Sequence, residues 1–118
     1  MVVNDLRSAL EVLKQMDGQL VETDIEVDPE AELAGVYRHV GAGGTVMRPT
    51  KIDGPAMIFN NIKNHKDARV VIGLLASRER VARLMGCEKE ELGKLLCRAA
   101  LNPIEPVVSE EKAPCQEV

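Results

Sequence analysis

The chain has 118 residues and a net charge of −4; 45 % of its residues are apolar but only 2 % are aromatic. That length fits one small domain that buries roughly two-thirds of the surface exposed by its unfolded chain. The charge balance offers no basic stripe for a polyanion, Tyr37 and Phe59 are too few to stack bases, and no apolar run reaches the roughly 20 residues of a membrane span.

Taken in chain order, Asn4 or Asp5 can cap a first helix. Its apolar positions Leu6, Ala9, Leu10, Leu13 and Met16 recur at helical spacing, and Gly18 provides a left-handed stop. From Gln19 to Val27, Val21, Thr23, Ile25 and Val27 alternate with Glu22, Asp24 and Glu26, a period of two that predicts a half-exposed strand. Asp28-Pro29 predicts the start of a second helix, with Asp28 as cap and Pro29 in the first turn. Leu33, Val36, Tyr37 and Val40 form its apolar stripe, and Gly41-Ala42-Gly43-Gly44 ends it. A loop follows through Arg48-Pro49-Thr50 and Asp53-Gly54-Pro55.

Ala56 to Phe59 is a short apolar run that predicts a strand, and Asn60 to Asp67 reads as a turn. Ala68 to Ala76 is apolar on both faces, the signature of an interior strand, and it can pair with Ala56 to Phe59. Ser77 predicts the cap of a third helix, Arg78 to Met85, closed by Gly86. A fourth helix is expected from about Glu88, with Leu92, Leu95, Leu96 and Ala99 on one face, stopping at Asn102-Pro103. Beyond it Pro103, Pro106 and Pro114 break regularity, so the chain reads as an α/β domain over residues 1–102 and an extended arm over residues 103–118. The first residues, Met1 to Arg7, lack a basic region followed by an apolar block, so the expected location is the cytoplasm.

Few residues invite a chemical role. Gly41-Ala42-Gly43-Gly44-Thr45 follows a helix instead of opening one, so its glycines suit a helix end better than a phosphate cradle. Arg38 and His39 complement the negative end of that helix. His65 belongs to an exposed turn. Glu30 and Glu32 fit the acidic first turn of the second helix. Ser77 lacks a nucleophile elbow and serves as a cap. Arg78 and Arg80 are candidates for contacting an anion or another domain. Cys87, Cys97 and Cys115 form no CxxC pair and are expected to be reduced thiols, with Cys97 beside the buried stripe. The residues by themselves therefore identify no catalytic, cofactor-binding or metal site.

Several stretches in order resemble the start of the UbiD family of aromatic acid decarboxylases. They are Asp5-Leu6-Arg7-Ser8, the run Glu22 to Arg38, Gly54-Pro55-Ala56-Met57-Ile58-Phe59-Asn60-Asn61-Ile62-Lys63, Ala76-Ser77-Arg78-Glu79-Arg80, and the tail Asn102 to Val108 with Ala113 to Val118. Within the family, Ala34 to Thr50 is most similar to protocatechuate and gallate decarboxylases. The resemblance implies non-oxidative decarboxylation of a hydroxybenzoate-class acid (3,4-dihydroxybenzoate, gallate or 4-hydroxybenzoate) on prenylated FMN, held with a divalent metal (Mn or Mg) and K+ in a later domain. Family enzymes are several times longer, so no catalytic, cofactor-binding or metal residue carries over to this chain, which is expected to be inactive alone. Its expected partners are the remaining domains or subunits of a homo-oligomeric decarboxylase. The alternative is a non-catalytic module that binds a full-length subunit; a nucleotide-binding protein using Gly41 to Gly44 is the third reading.

Overall fold

The computed structural model describes residues 3–43, 54–109 and 111. Its elements run α1 (Leu6–Lys14), β1 (Leu20–Thr23), α2 (Glu32–Gly41), β2 (Ala56–Phe59), β3 (Val70–Ile72), α3 (Arg78–Leu84) and α4 (Leu92–Leu101). These are the four helices and three short strands of the expected α/β fold. Residues 103–109 carry no regular structure and lie exposed, as an arm would.

The strands form one sheet in the order β1-β2-β3. β1 runs parallel to β2, with Leu20 opposite Ala56 and Thr23 opposite Phe59. β3 runs antiparallel to β2, with Met57 opposite Ile72 and Phe59 opposite Val70. A parallel pair requires a crossover, and α2 supplies it. The four side chains of β2 alternate between the two faces and all are buried, so the interior strand is β2. This corrects the expectation for the 68–76 run. Its strand is only Val70–Ile72, half-buried at the sheet edge, because Gly73 takes φ 76° and turns the chain toward α3.

The first strand is also shorter than its period of two suggests. After Thr23 the Ile25 N–H donates to the Thr23 hydroxyl at 3.3 Å, and the chain bends until Val27 meets Ile62 in an isolated parallel bridge. Asp28 does not cap α2 as expected. Its carboxylate instead accepts from the Glu30 N–H at 2.9 Å, forming a turn, and Ala31 at φ 65° leads into a helix that begins at Glu32. The fourth helix likewise begins later than its sequence suggests, at Leu92, with Glu91 before it making no side-chain cap.

Local signals were followed elsewhere. Asp5 caps α1 through a reciprocal box, in which the Ser8 N–H donates to Asp5 Oδ1 at 2.7 Å and the Asp5 N–H donates to Ser8 Oγ at 3.0 Å. Ser77 caps α3, and Gly86 follows it at φ 73°. The main core cluster joins Met57 and Phe59 of β2 to Val27, Ile62 and Leu33 of α2, with Tyr37, Val40 and Ile72 packed against it. Burying each large aliphatic or aromatic side chain of this kind stabilises the fold by about 1.5–3 kcal/mol. On the other face of β2, Ala56 and Ile58 have no exposure at all.

Candidate functional site

Both ends of the sheet carry polar clusters, and these gather most of the chemically able side chains. Gln19 and Gly54 precede β1 and β2, and Gly73 follows the antiparallel β3, so all three stand at one end of the sheet. Arg80 of α3 joins them there. Its guanidinium donates to Gln19 Oε1 at 2.8 Å and to the carbonyls of Gly54 at 2.8 Å, Gly73 at 2.9 Å and Leu74 at 3.3 Å. Arg80 is fully buried, and neighbouring Ser77 is 1 % exposed. The expectation that Arg80 meets an anion or another domain is therefore corrected. A desolvated guanidinium must spend its donors on fixed acceptors, and here those acceptors are the chain's own loops. Arg78, on the same helix, is exposed.

The same end holds the glycines that raised the question of a phosphate loop. α2 closes at Gly41, so the groups its end leaves without helical partners are carbonyls, not the N–H donors an anion needs. A Cβ at Gly54 would collide with the Gly41 carbonyl, and one at Gly73 or Gly41 would strike the Tyr37 ring. The glycines thus serve close packing of backbone on backbone and ring. Gly44 and Thr45 lie outside the described residues. The described part of this segment does not fit a flavin phosphate.

At the opposite end, where β1 and β2 finish, Asn60 bridges two carboxylates. Its side-chain amide donates to Glu22 Oε1 and Asp24 Oδ1, each at 2.9 Å. Arg69 donates to Asn60 Oδ1 at 2.8 Å and pairs with Glu22 at 3.3 Å. In open α/β sheets the crevice beyond the carboxyl ends of parallel strands is a usual ligand position, but here these side chains satisfy one another. A neighbouring tie joins Lys63 Nζ to Asp28 Oδ2 at 2.7 Å. That hydrogen bond first, and the Glu30 N–H second, hold the Asp28 carboxyl below its ordinary value of 3.8. The Asp28 N–H donates to Glu32 at 2.6 Å, so Glu32 supports the turn as well as the start of α2.

The remaining sequence candidates stay apart. His39 and His65 are exposed, His65 at the end of a turn closed by its N–H to the Ile62 carbonyl at 2.9 Å. Glu30 is exposed. Cys87 is half-buried, whereas Cys97 is exposed, which corrects its placement beside a buried stripe: of that α4 face Leu92 is buried and Leu96 is 48 % exposed. Cys115 lies outside the described residues. Among the described residues no three His, Cys, Asp or Glu side chains converge as a metal site would require, and no helix is long and apolar enough to cross a membrane. The Arg80 hub and the Asn60 bridge were both missed in the sequence. Their partners lie 61 and 38 residues away, and the available local signal was an Arg in a capped turn and an Asn after an apolar run.

The geometry defines a small α/β domain whose described polar clusters tie its own loops together. The comparisons agree with that class. The sequence profile of the 3-octaprenyl-4-hydroxybenzoate carboxy-lyase N-terminal domain matches residues 11–100, so the chain belongs to this UbiD family. It is 50 % identical over 115 residues to gallate decarboxylase of Lactiplantibacillus plantarum, covering 97 % of this chain and 23 % of that relative. Phenolic acid decarboxylase of Sedimentibacter hydroxybenzoicus is 34 % identical over 98 % of this chain and 24 % of its own. Among solved structures, 3,4-dihydroxybenzoic acid decarboxylase of Enterobacter cloacae superposes with a TM-score of 0.81 at 52 % identity, over 92 % of this chain and 22 % of that one. The Klebsiella pneumoniae 3,4-dihydroxybenzoic acid decarboxylase gives 0.78 at 55 %, over 88 % and 21 %. The chain thus spans about a quarter of the length of the relatives it matches.

Proposed function

We propose that this chain is the N-terminal structural domain of a non-oxidative hydroxyaryl acid decarboxylase, with gallate, 3,4-dihydroxybenzoate or 4-hydroxybenzoate as the substrate class. The observation that carries this reading is the 50 % identity to a gallate decarboxylase, which extends over almost all of this chain and under a quarter of that enzyme. Residues 1–102 form the domain, and residues 103–118 are its linker toward a flavin-binding domain. The decarboxylation belongs to that later part, on prenylated FMN with a divalent metal and K+, and this chain contributes no catalytic side chain. Such a cofactor supplies the electron sink when bound, while the protein orients and tunes it.

The accessible surface supports an incomplete assembly. On α4 and the described part of the arm, Leu101, Ile104, Val107 and Val108 are 81, 95, 96 and 85 % exposed. An apolar stretch of this kind is normally covered by another domain or subunit. The same exposure favours, as a second reading, a non-catalytic module that binds a full-length decarboxylase subunit.

Carbon dioxide release from gallate and 3,4-dihydroxybenzoate would be measured with the purified chain plus prenylated FMN, Mn and K+. No turnover is expected. Activity should appear only when the chain is fused to the flavin-binding remainder of a relative. Turnover by the chain alone would overturn the reading, and capture of an intact decarboxylase without fusion would favour the second one.

A further inference from the structure

β1 is the terminal strand of the sheet, and among the described strands none pairs with its outer edge. The carbonyls of Gln19 and Thr23 accept from the N–H groups of Ala56 and Asn60 at 3.0 Å each, so residues 19, 21 and 23 turn their backbone toward β2. Alternation then turns the N–H and C=O groups of Leu20 and Glu22 outward. An open row of this kind is a template for another strand.

The sheet face beside that edge is open as well. α2 packs on β2 and leaves a groove of about 370 Å³ over the β1 side, with Val21, Ile25, Val36, Met57 and Phe59 among its lining. Val21, Ile25 and Val36 remain 38, 79 and 37 % exposed. Glu22, Glu26 and Glu32 stand around the same groove. Of these, Glu22 is ion-paired with an exposed Arg69 and Glu32 accepts a backbone N–H. The rim is therefore acidic around an apolar floor.

We propose that the β1 edge is a docking site for an extended polypeptide segment carrying alternate apolar residues flanked by Lys or Arg. Such a segment adds a fourth strand through the backbone of Leu20 and Glu22. Its apolar side chains fill the groove beside Val21 and Ile25, its alternate cations lie on the opposite face with Glu22, and the cations at its ends meet Glu26 and Glu32. Main-chain pairing supplies affinity in this mode, while alternate side chains supply specificity. Charge decides the occupant. A second copy brings a net charge of −4 and the same three carboxylates, so like charges would face one another.

The test titrates the isotopically labelled full chain with a capped Lys-Val-Lys-Val-Lys-Val-Lys peptide and, separately, with the peptide carrying Glu in place of every Lys. Saturable amide shifts are expected over residues 20–26 and at Val36, with slowed exchange at Leu20 and Glu22. The Glu peptide should bind at least about ten-fold more weakly, and added salt should weaken the Lys peptide. Glu26→Lys should weaken it about five-fold. Ile25→Asp should abolish the shifts. Both positions are exposed, so these variants keep the fold. Equal binding of the two peptides, shifts confined to other elements, or no shift would overturn the proposal. Concentration-dependent shifts at these residues without peptide would also overturn it, by making a second copy the occupant.

Discussion

A guanidinium with no exposed surface needs acceptors around its plane, and the loops at one end of the sheet supply them to Arg80. Gln19, Gly54, Gly73 and Leu74 come from the segments flanking all three strands, so this one side chain fixes their relative position. Lys is a poor substitute because an ammonium carries three donors on a flexible stem, without the planar fork. The Arg80→Ala variant should lose about 3 kcal/mol or more of stability, since the buried Gly54 carbonyl loses this donor and the side chain leaves a cavity. Arg80→Lys should recover only part of that. Urea denaturation monitored by circular dichroism measures both, and an unchanged midpoint in the Ala variant would refute the hub. Ser-Arg-Glu-Arg gave no hint of this in the sequence. Burial of the second Arg depends on residues up to 61 positions distant.

Among the elements, the turn between β1 and α2 is where sequence and structure part most clearly. Asp28-Pro29 has the composition of a helix start, yet the Asp28 carboxylate is used by the Glu30 N–H and by Lys63, which follows β2. Both partners stabilise the charged form, so its folded pKa lies below the ordinary value of 3.8. A depressed carboxyl pKa contributes stability that is complete above the unfolded value and lost as pH falls through the lower folded one. The Lys63 amine is raised above 10.5, first by its hydrogen bond to Asp28, so its contribution is present below that value and lost as pH rises past the folded one. Asp28→Asn should therefore flatten the fall of melting temperature between about pH 5 and pH 2 without removing the share due to Asp5, whose carboxyl is lowered chiefly by the Ser8 N–H. Thermal unfolding across that range checks it; an acid slope equal to that of the unaltered chain would refute the tie. The effect should be modest, because Lys63 and Asp28 keep 50 and 33 % of their side-chain surface and such pairs are screened.

At the scale of the whole molecule, apolar surface is left uncovered on α4 and on the described part of the arm. α4 accounts for part of this, since Leu92 is buried while Leu96 and Leu101 are not. Surface that is exposed before any partner arrives should be replaceable at little cost to the fold. The combined variant L101S, I104S, V107S and V108S is expected to keep its unfolding free energy within about 1 kcal/mol, while binding less of an apolar fluorescent dye. A large loss of stability would show instead that the arm packs on the body.

Local chemistry was decided within the sequence. Asp5 and Ser8 build a cap from groups three residues apart, Ser77 caps α3 through its own turn, and the apolar run Ala56 to Phe59 is a strand end to end. Each of these depends on neighbours along the chain or on a pattern a few residues long. The family resemblance was legible for the same reason, as ordered short stretches. Tertiary structure alone decided that β2, not the longer apolar run after it, lies in the middle of the sheet, that Asp28 serves a turn, and that Arg80 is buried. Each depends on which distant backbone groups and side chains arrive beside a residue, and strand order, desolvation and long-range hydrogen bonds are fixed only when the whole sheet assembles.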